Sequence, residues 1–339
     1  MVVTESLSRK FFTSSYTVLG AVLAALCAVL AFMEPRFLTV DNFLNVMRQS
    51  SIIGIIALGM TCVILARGID LSVGSIVALS SIVAAAAVRA GVPFLAAWGI
   101  ALLVGALCGG INGLIVARLG IPPFIVTLGM MGAARGAALL FTGGAPISGL
   151  SGAFRVLGTG SVAGVPVPIL VFAVVFVMLY VLLERSIWGE QVRSIGSNPV
   201  AAWGAAISVP RITASVFMLS GILSAIAGLV LTGRLDAAQP TAGLGYEFGA
   251  IAAAVLGGTQ FSGGKGTLFG TVLGVLIMGV IGNGINILNV NPFYEQVVRG
   301  LVIAVALVFY GRFAARGTTR VLRSGEKKII KKHKWRWSK

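Results

Sequence analysis

Eight stretches of the chain, residues 11–33, 49–66, 71–88, 90–117, 156–183, 212–233, 248–264 and 266–294, contain no Asp, Glu, Lys or Arg. Most approach the roughly 20 residues with which an α-helix crosses a hydrocarbon core, and several can hold a helix plus a turn. Only 11% of the 339 residues are charged and the mean hydropathy is +0.99, whereas a soluble domain carries about a quarter charged residues. Lipid offers backbone N–H and C=O groups no partner, so such stretches must be helices. The expected fold is all-α, a polytopic membrane helix bundle of about ten spans. They fall near 15–33, 50–66, 71–88, 93–117, 122–141, 166–183, 212–232, 247–261, 267–285 and 296–312. Val18 to Met33 is longer than a secretory h-region and no small-x-small site follows it, so it counts as the first permanent span.

Charge gives the orientation. With the N-terminus inside, Arg9, Lys10, Arg67, Arg118, Arg185, Arg193, Arg211, Lys265 and the tail lie inside; Arg36, Arg48, Arg89, Arg155, Arg234 and Arg299 lie outside, and only Arg135 falls within a span. This obeys the positive-inside rule and makes both termini cytoplasmic. The expected division is a cytoplasmic N-terminus (1–14), a transmembrane domain (15–312) with a cytoplasmic loop at 184–211, and a basic tail (313–339). Residues 312–339 hold eleven Lys/Arg against Glu326, with Trp335 and Trp337 among them. That composition suits an anionic membrane surface and its lipids rather than nucleic acid. Cys27, Cys62 and Cys108 lie in apolar segments without metal-ligand spacing, so neither a metal nor another cofactor is expected.

The acids are as informative. All ten fall in predicted loops or at span ends, whereas ion-coupled carriers usually keep ionisable groups within the membrane. Arg135 is the exception, and arginine does not cycle a proton. Nor does the chain hydrolyse ATP: Gly257 to Gly266 has Thr259 where a phosphate-binding loop needs glycine, and Gly266 where it needs Ser or Thr after Lys265. Gly105, Gly109 and Gly113, and again Gly266, Gly270 and Gly274, recur every four residues, a spacing that lets helices approach closely. Gly54–Ser75 and Gly249–Gly270 echo each other as apolar run, Gly-containing loop and apolar run. Polar side chains within spans (Asn112, Thr127, Ser220, Ser224, Asn283 and Asn286) are candidates for a solute pathway or for helix–helix hydrogen bonds. In the loop 184–211, Asn198-Pro199 signals a helix start, and the Ala-rich run that follows is expected to continue to a stop at Pro210.

From about Phe37 to Tyr310 the chain resembles the ribose-type sugar permeases of bacterial ATP-binding-cassette importers. The likeness rests on Gly59-Met60-Thr61 with Ile64 through Ser75, which includes Gly68-Ile69-Asp70-Leu71-Ser72-Val73-Gly74. Phe124 to Leu128 with Arg135-Gly136, Ala238 to Gly243 with Tyr246-Glu247, Val255 to Thr259, Gly263 to Thr267, and Gly282 to Asn286 extend it. The resemblance implies a translocation subunit in the bacterial inner membrane, without enzymatic activity of its own. Its implied partners are a second permease copy, a pair of cytoplasmic ATP-binding subunits and a periplasmic sugar-binding protein. It implies structural roles for Gly68, Asp70, Ser72, Gly74, Arg135, Gly263 and Gly264. It also implies a coupling helix over 196–207, carried by Gly196, Asn198, Ala201, Ala202, Ala205, Ala206 and Ile207. The chain departs from the family pattern at Pro199, Val200, Trp203 and Ala206, the last where relatives carry glycine, and at Gly249, where many carry an acid. The expected solute is ribose or a related monosaccharide; a passive channel and a membrane scaffold are the rival readings. Arg135 is expected near the outer interface, paired with Asp236 or Glu247 or snorkelling to headgroups, and the outer loops 142–166 and 233–246 are expected to receive the binding protein.

Overall fold

The computed structural model describes residues 2–305 apart from 151, 292 and 299, with side chains from Tyr16 onward. The basic tail and the end of the last expected span lie outside the described residues. Helix α1 (Val2–Met33) passes into a short 3-10 turn at Pro35–Leu38. Thr39 then starts α2 (Val40–Leu65) by accepting the Asn42 amide, with Asp41 in the first turn, as N-caps and the helix dipole favour. The cap sets the start ten residues ahead of the expected span at 50. Arg48, expected in an outer loop, therefore lies within α2.

α3 (Val73–Arg89), α4 (Phe94–Leu119) and α5 (Pro123–Thr142) follow, then β1 (Ile147–Ser148), α6 (Gly152–Thr159), β2 (Ser161–Val162) and β3 (Val165–Pro166). α7 (Val167–Glu184), α8 (Ile187–Ser197), α9 (Pro199–Gly204), α10 (Val209–Leu235), β4 (Ala237–Ala238), α11 (Tyr246–Leu256) and α12 (Leu268–Ile287) complete the labelled elements. Residues 293–298 and 300–305 are also helical. Among the described residues seven helices are long and apolar enough to cross a membrane. Two of the expected spans are shorter: α3 has 17 residues and α11 only 11.

α2 is the axis of the bundle. From Gly54 to Leu65 every residue is buried, and α7, α10, α11 and α12 pack around it; a helix apolar on all sides belongs in such a position. The outer surface is apolar too, with Leu140, Phe141 and Met178 projecting from α5 and α7, as a lipid-facing surface requires.

Glycine spacing sets the interhelical distances. A Cβ on Gly105 would lie 2.3 Å from the Gly221 carbonyl oxygen, one on Gly109 2.2 Å from that of Phe217, and one on Gly113 2.6 Å from Ala214 Cα. The stripe is thus the seam between α4 and α10. Gly270 and Gly274 meet α11 in the same way, each 2.0 Å by that measure from the carbonyl oxygens of Gly257 and Ala253.

At the end of the bundle opposite α9, β1 and β4 pair antiparallel, Ile147 with Ala238 and Ser148 with Ala237. Arg155 bonds Asp236 through two contacts of 2.6 and 3.0 Å. Phe154 of α6 is fully buried and packs edge-on against Phe94, with ring centroids 5.2 Å apart. Segments 142–166 and 233–246 thereby form one joined cap.

Candidate functional site

The site is organised by two interruptions of the helices. Residues 66–72 separate α2 from α3, and residues 236–245 separate α10 from α11. Their depth follows from the helices that touch them. At 1.5 Å per residue, Asn112 lies about 10 Å from the α9 end of α4, Ser220 about 16 Å along α10, and Arg135 about 18 Å along α5. The breaks therefore lie near the middle of a hydrocarbon layer of roughly 30 Å. Irregular backbone survives at that depth only where protein supplies its hydrogen bonds.

Three groups of side chains do so here. Asp70, fully buried, accepts from the Ser72 amide at 3.0 Å and the Ser72 hydroxyl at 2.5 Å through one carboxylate oxygen, and from the Ser220 hydroxyl at 2.9 Å through the other. Asn112 donates to Ser72 Oγ at 2.9 Å, and Ser224, one turn beyond Ser220, donates to the Ser220 carbonyl. An acid at this point also faces the N-terminal end of α3, where the helix dipole favours negative charge. From α5, Thr127 donates to the Ile69 carbonyl at 3.1 Å.

Arg135 ties the second break to the first turn of α3. Its guanidinium donates to the carbonyls of Pro240 and Ala242 at 2.6 and 2.7 Å and to that of Gly74 at 3.2 Å. Gly74 permits this meeting: a Cβ there would lie 2.2 Å from the Gly243 oxygen and 2.6 Å from the Glu247 carboxylate. Arg135 is half-buried, and its guanidinium turns onto these backbone carbonyls rather than outward. Asp236 is taken by Arg155; Glu247 interacts with Arg135 electrostatically, while the guanidinium's hydrogen bonds go to backbone. Asp70 and Glu247 also correct the reading that the acids stand clear of the interior, for both are buried. They are loop and helix-start residues by sequence, but the loops that carry them turn inward.

A second cluster lies at the α9 end. Arg67, at φ +64, donates through Nε to the carbonyls of Gly196 and Ser262, both at 2.8 Å, and through Nη2 to that of Ser197 at 3.2 Å. The Gly264 amide donates to the Leu65 carbonyl at 2.9 Å, and Arg193 donates to the Gly266 carbonyl at 2.9 Å while pairing with Glu184. Gly263 and Gly264 adopt φ +79 and +74, and a Cβ on Gly196 would overlap the Leu65 oxygen. Two of these loops are the halves of the sequence echo, and α2 and α12 also meet through Thr61 and Thr271 at 2.7 Å.

α9 projects from this knot. Asn198 caps it by accepting the Val200 and Ala201 amides, both at 3.1 Å. The helix ends at Gly204, and Pro210 lies in the first turn of α10 rather than stopping the Ala-rich run. Ala206 has φ +60. Ala201, Ala205 and Ala206 are exposed and Ile207 is half-buried, but Ala202 is buried against the chain itself. Val200 and Trp203 are exposed at 78% and 73%, so α9 presents an apolar face.

Of the six candidate pathway residues, Asn112, Thr127, Ser220 and Ser224 thus converge on the first break. Asn283 instead exchanges two hydrogen bonds with Asn42, at 2.8 and 3.2 Å, and Asn286 is exposed. Sequence reasoning missed Arg67, Asn42 and the burial of Glu247. Arg67 stands directly before Gly68-Ile69-Asp70, but it carried weight only as an inside positive charge. Among the described residues no group of three or more His, Cys, Asp or Glu is placed to hold a metal.

A bundle whose central helix is buried over its second half, with a lipid-facing apolar surface and two helix breaks braced near the midplane, is a multi-pass membrane protein built as a permease. The chain belongs to the family described as branched-chain amino acid transport system / permease component, whose profile matches residues 42–307. It is 44% identical to the ribose import permease protein of Haemophilus influenzae, over 84% of this chain and 90% of that one. Identity to the ribose import permease protein of Bacillus subtilis is 46%, over 84% and 88%. Identity to the D-allose transport system permease protein of Escherichia coli is 42%, over 84% and 89%. No solved structure matches the chain. The chain is thus the permease component of a transport system.

Proposed function

We propose that the chain carries ribose or a related monosaccharide inward across the bacterial cytoplasmic membrane. The work is driven by ATP-binding subunits that seat on α9, and the sugar is delivered by a periplasmic binding protein to the joined cap of segments 142–166 and 233–246. A second copy of the permease completes the pathway. The ribose and D-allose permeases among its relatives support the class of solute. Seating on α9 is supported by its exposed apolar side chains, Val200 and Trp203, on a helix of only six residues.

The observation that carries this reading is Arg67. Its guanidinium holds the carbonyls of Gly196 and Ser197, immediately before the cap of α9. Three residues further along the chain is Asp70, which orders the first break. A displacement of α9 therefore reaches the midplane through a short, hydrogen-bonded path. Coupling needs such an element, biased from both ends.

The experiment is reconstitution in proteoliposomes with the ATP-binding subunits and the binding protein, following labelled ribose. Uptake is expected to need ATP and both partners, and excess unlabelled ribose is expected to suppress it. Arg67→Ala is expected to keep ATPase co-purification while sugar uptake falls at least about tenfold, a loss of about 1.4 kcal/mol in coupling. Ribose flux without the ATP-binding subunits would establish a passive channel and overturn the proposal. Normal uptake by Arg67→Ala would remove α9 coupling through this residue.

A further inference from the structure

Beside the α4–α10 seam a groove of about 320 Å³ opens on the flank of the bundle. Gly110 and Leu114 of α4 and Ala214 and Met218 of α10 line its apolar length, and Arg118 and Arg211 stand at one end. Nothing lies within 4 Å of where a Cβ of Gly110 would be, so the close approach at Gly109 and Gly113 leaves open space directly alongside. Leu114 and Met218 are exposed at 44% and 42% and form the walls.

Arg118 is in the last turn of α4 and Arg211 in the first turn of α10. Both are exposed, and neither has a hydrogen-bond or ion-pair partner among the described residues. α10 also begins at this end, and its dipole adds positive potential there. Arg118 offsets the opposite dipole of α4. From Arg118 to Gly110 the groove runs about 12 Å along the helix, toward the midplane. Two unpaired cations at the α9 end, above an apolar channel of that length, match a phosphate with a hydrocarbon chain below it.

We propose that this groove is a binding site for one anionic glycerophospholipid of the leaflet on the α9 side. Its phosphate lies between Arg118 and Arg211, and one acyl chain lies along Gly110, Leu114 and Met218. The inference rests on the membrane placement of the chain and not on the identity of the solute.

The test uses the full chain in phosphatidylcholine vesicles containing a trace of phosphatidylglycerol with a diazirine in mid-acyl chain. Diazirine-labelled phosphatidylcholine is the comparison, and adducts are mapped by peptide mass. Adducts are expected on peptides covering 110–118 and 211–218. Phosphatidylglycerol should exceed phosphatidylcholine by roughly fivefold per arginine, about 25-fold in all. R118Q/R211Q should bring both lipids level, whereas K331Q/K332Q in the basic tail should not. Gly110→Leu, which keeps both arginines and fills the groove, should lose the adducts and decides the matter if the double variant fails to fold. Equal labelling of the wild-type peptides by the two lipids would overturn the proposal, as would a preference that survives R118Q/R211Q. Labelling that vanishes when the second permease copy or the ATP-binding subunits are present would assign the groove to a protein interface and overturn it equally.

Discussion

Arg135 donates to three carbonyl oxygens, two in the second chain break and one in the first turn of α3, and lysine cannot reproduce that planar fork. Arg135→Lys keeps the charge but leaves at least one of these carbonyls bare, at about 1–3 kcal/mol each; Arg135→Leu leaves all three. Thermal unfolding in detergent is expected to rank the proteins wild type, Lys, then Leu, and a Leu variant as stable as wild type would show that the brace is dispensable. Ala206 is the opposite case. At φ +60 an L-residue costs roughly 1–2 kcal/mol that glycine does not, although glycine returns part of this as chain entropy. Ala206→Gly is expected to raise the unfolding temperature slightly, and a fall would contradict the strain. Ala206 was legible in the sequence as a departure from the family pattern, but nothing in the letters showed that the backbone there is left-handed.

Among the elements, α9 separates two substitutions that look alike in sequence. Ala201 is exposed and Ala202 is buried. Ala201→Glu should leave the permease folded and, under the proposed function, reduce co-purification of the ATP-binding subunits. Ala202→Glu should instead destabilise the permease itself, since an unpaired buried charge costs several kcal/mol. Unfolding curves for the isolated permease beside pull-down yields check both, and equal behaviour of the two variants would contradict the assignment. α6 gives a second test. A Cβ on Gly158 would lie 1.9 Å from the Arg234 amide nitrogen, so Gly158→Ala should displace α6 and raise protease cleavage within 142–166. Loss of the exposed Arg155–Asp236 pair should cost less than about 1 kcal/mol. The long spans were legible because hydropathy reports burial in lipid and in protein alike. α3 and α11 were less so. α3 starts two residues after the expected 71, and α11 stops at Leu256 rather than 261, because residues 257–264 are uncharged and read as a continuation of the span.

For the whole molecule, the glycine periodicity proved the most reliable guide, because a four-residue spacing states both which face is used and how closely it is met. The prediction of close seams at Gly105, Gly109 and Gly113 needed no knowledge of the partner helix, and none was available from sequence. Gly109→Val should part α4 from α10 across the centre of the bundle, with a loss of more than about 3 kcal/mol and failure of the chain to survive detergent extraction as a monodisperse species. The convergence of Asp70 on Ser220 was beyond sequence reasoning for the same reason, since 150 residues separate them. That separation has a consequence for how the protein is made. At roughly 5–20 residues per second, the ribosome adds Ser220 about eight to thirty seconds after Asp70. Throughout that interval the carboxylate lacks its partner from α10, and α3, at 17 residues, is short for a stable span of its own. The first three helices must therefore wait at the insertion machinery or in a wetted, shallow position. α10 then releases them to full depth by delivering both the Ser220 hydroxyl and the glycine-lined surface that α4 requires. A ribosome stalled before residue 209 is therefore expected to leave the Asp70 segment open to water-soluble reagents that the finished protein excludes, and protection of that segment in the stalled chain would contradict a role for α10 in its insertion.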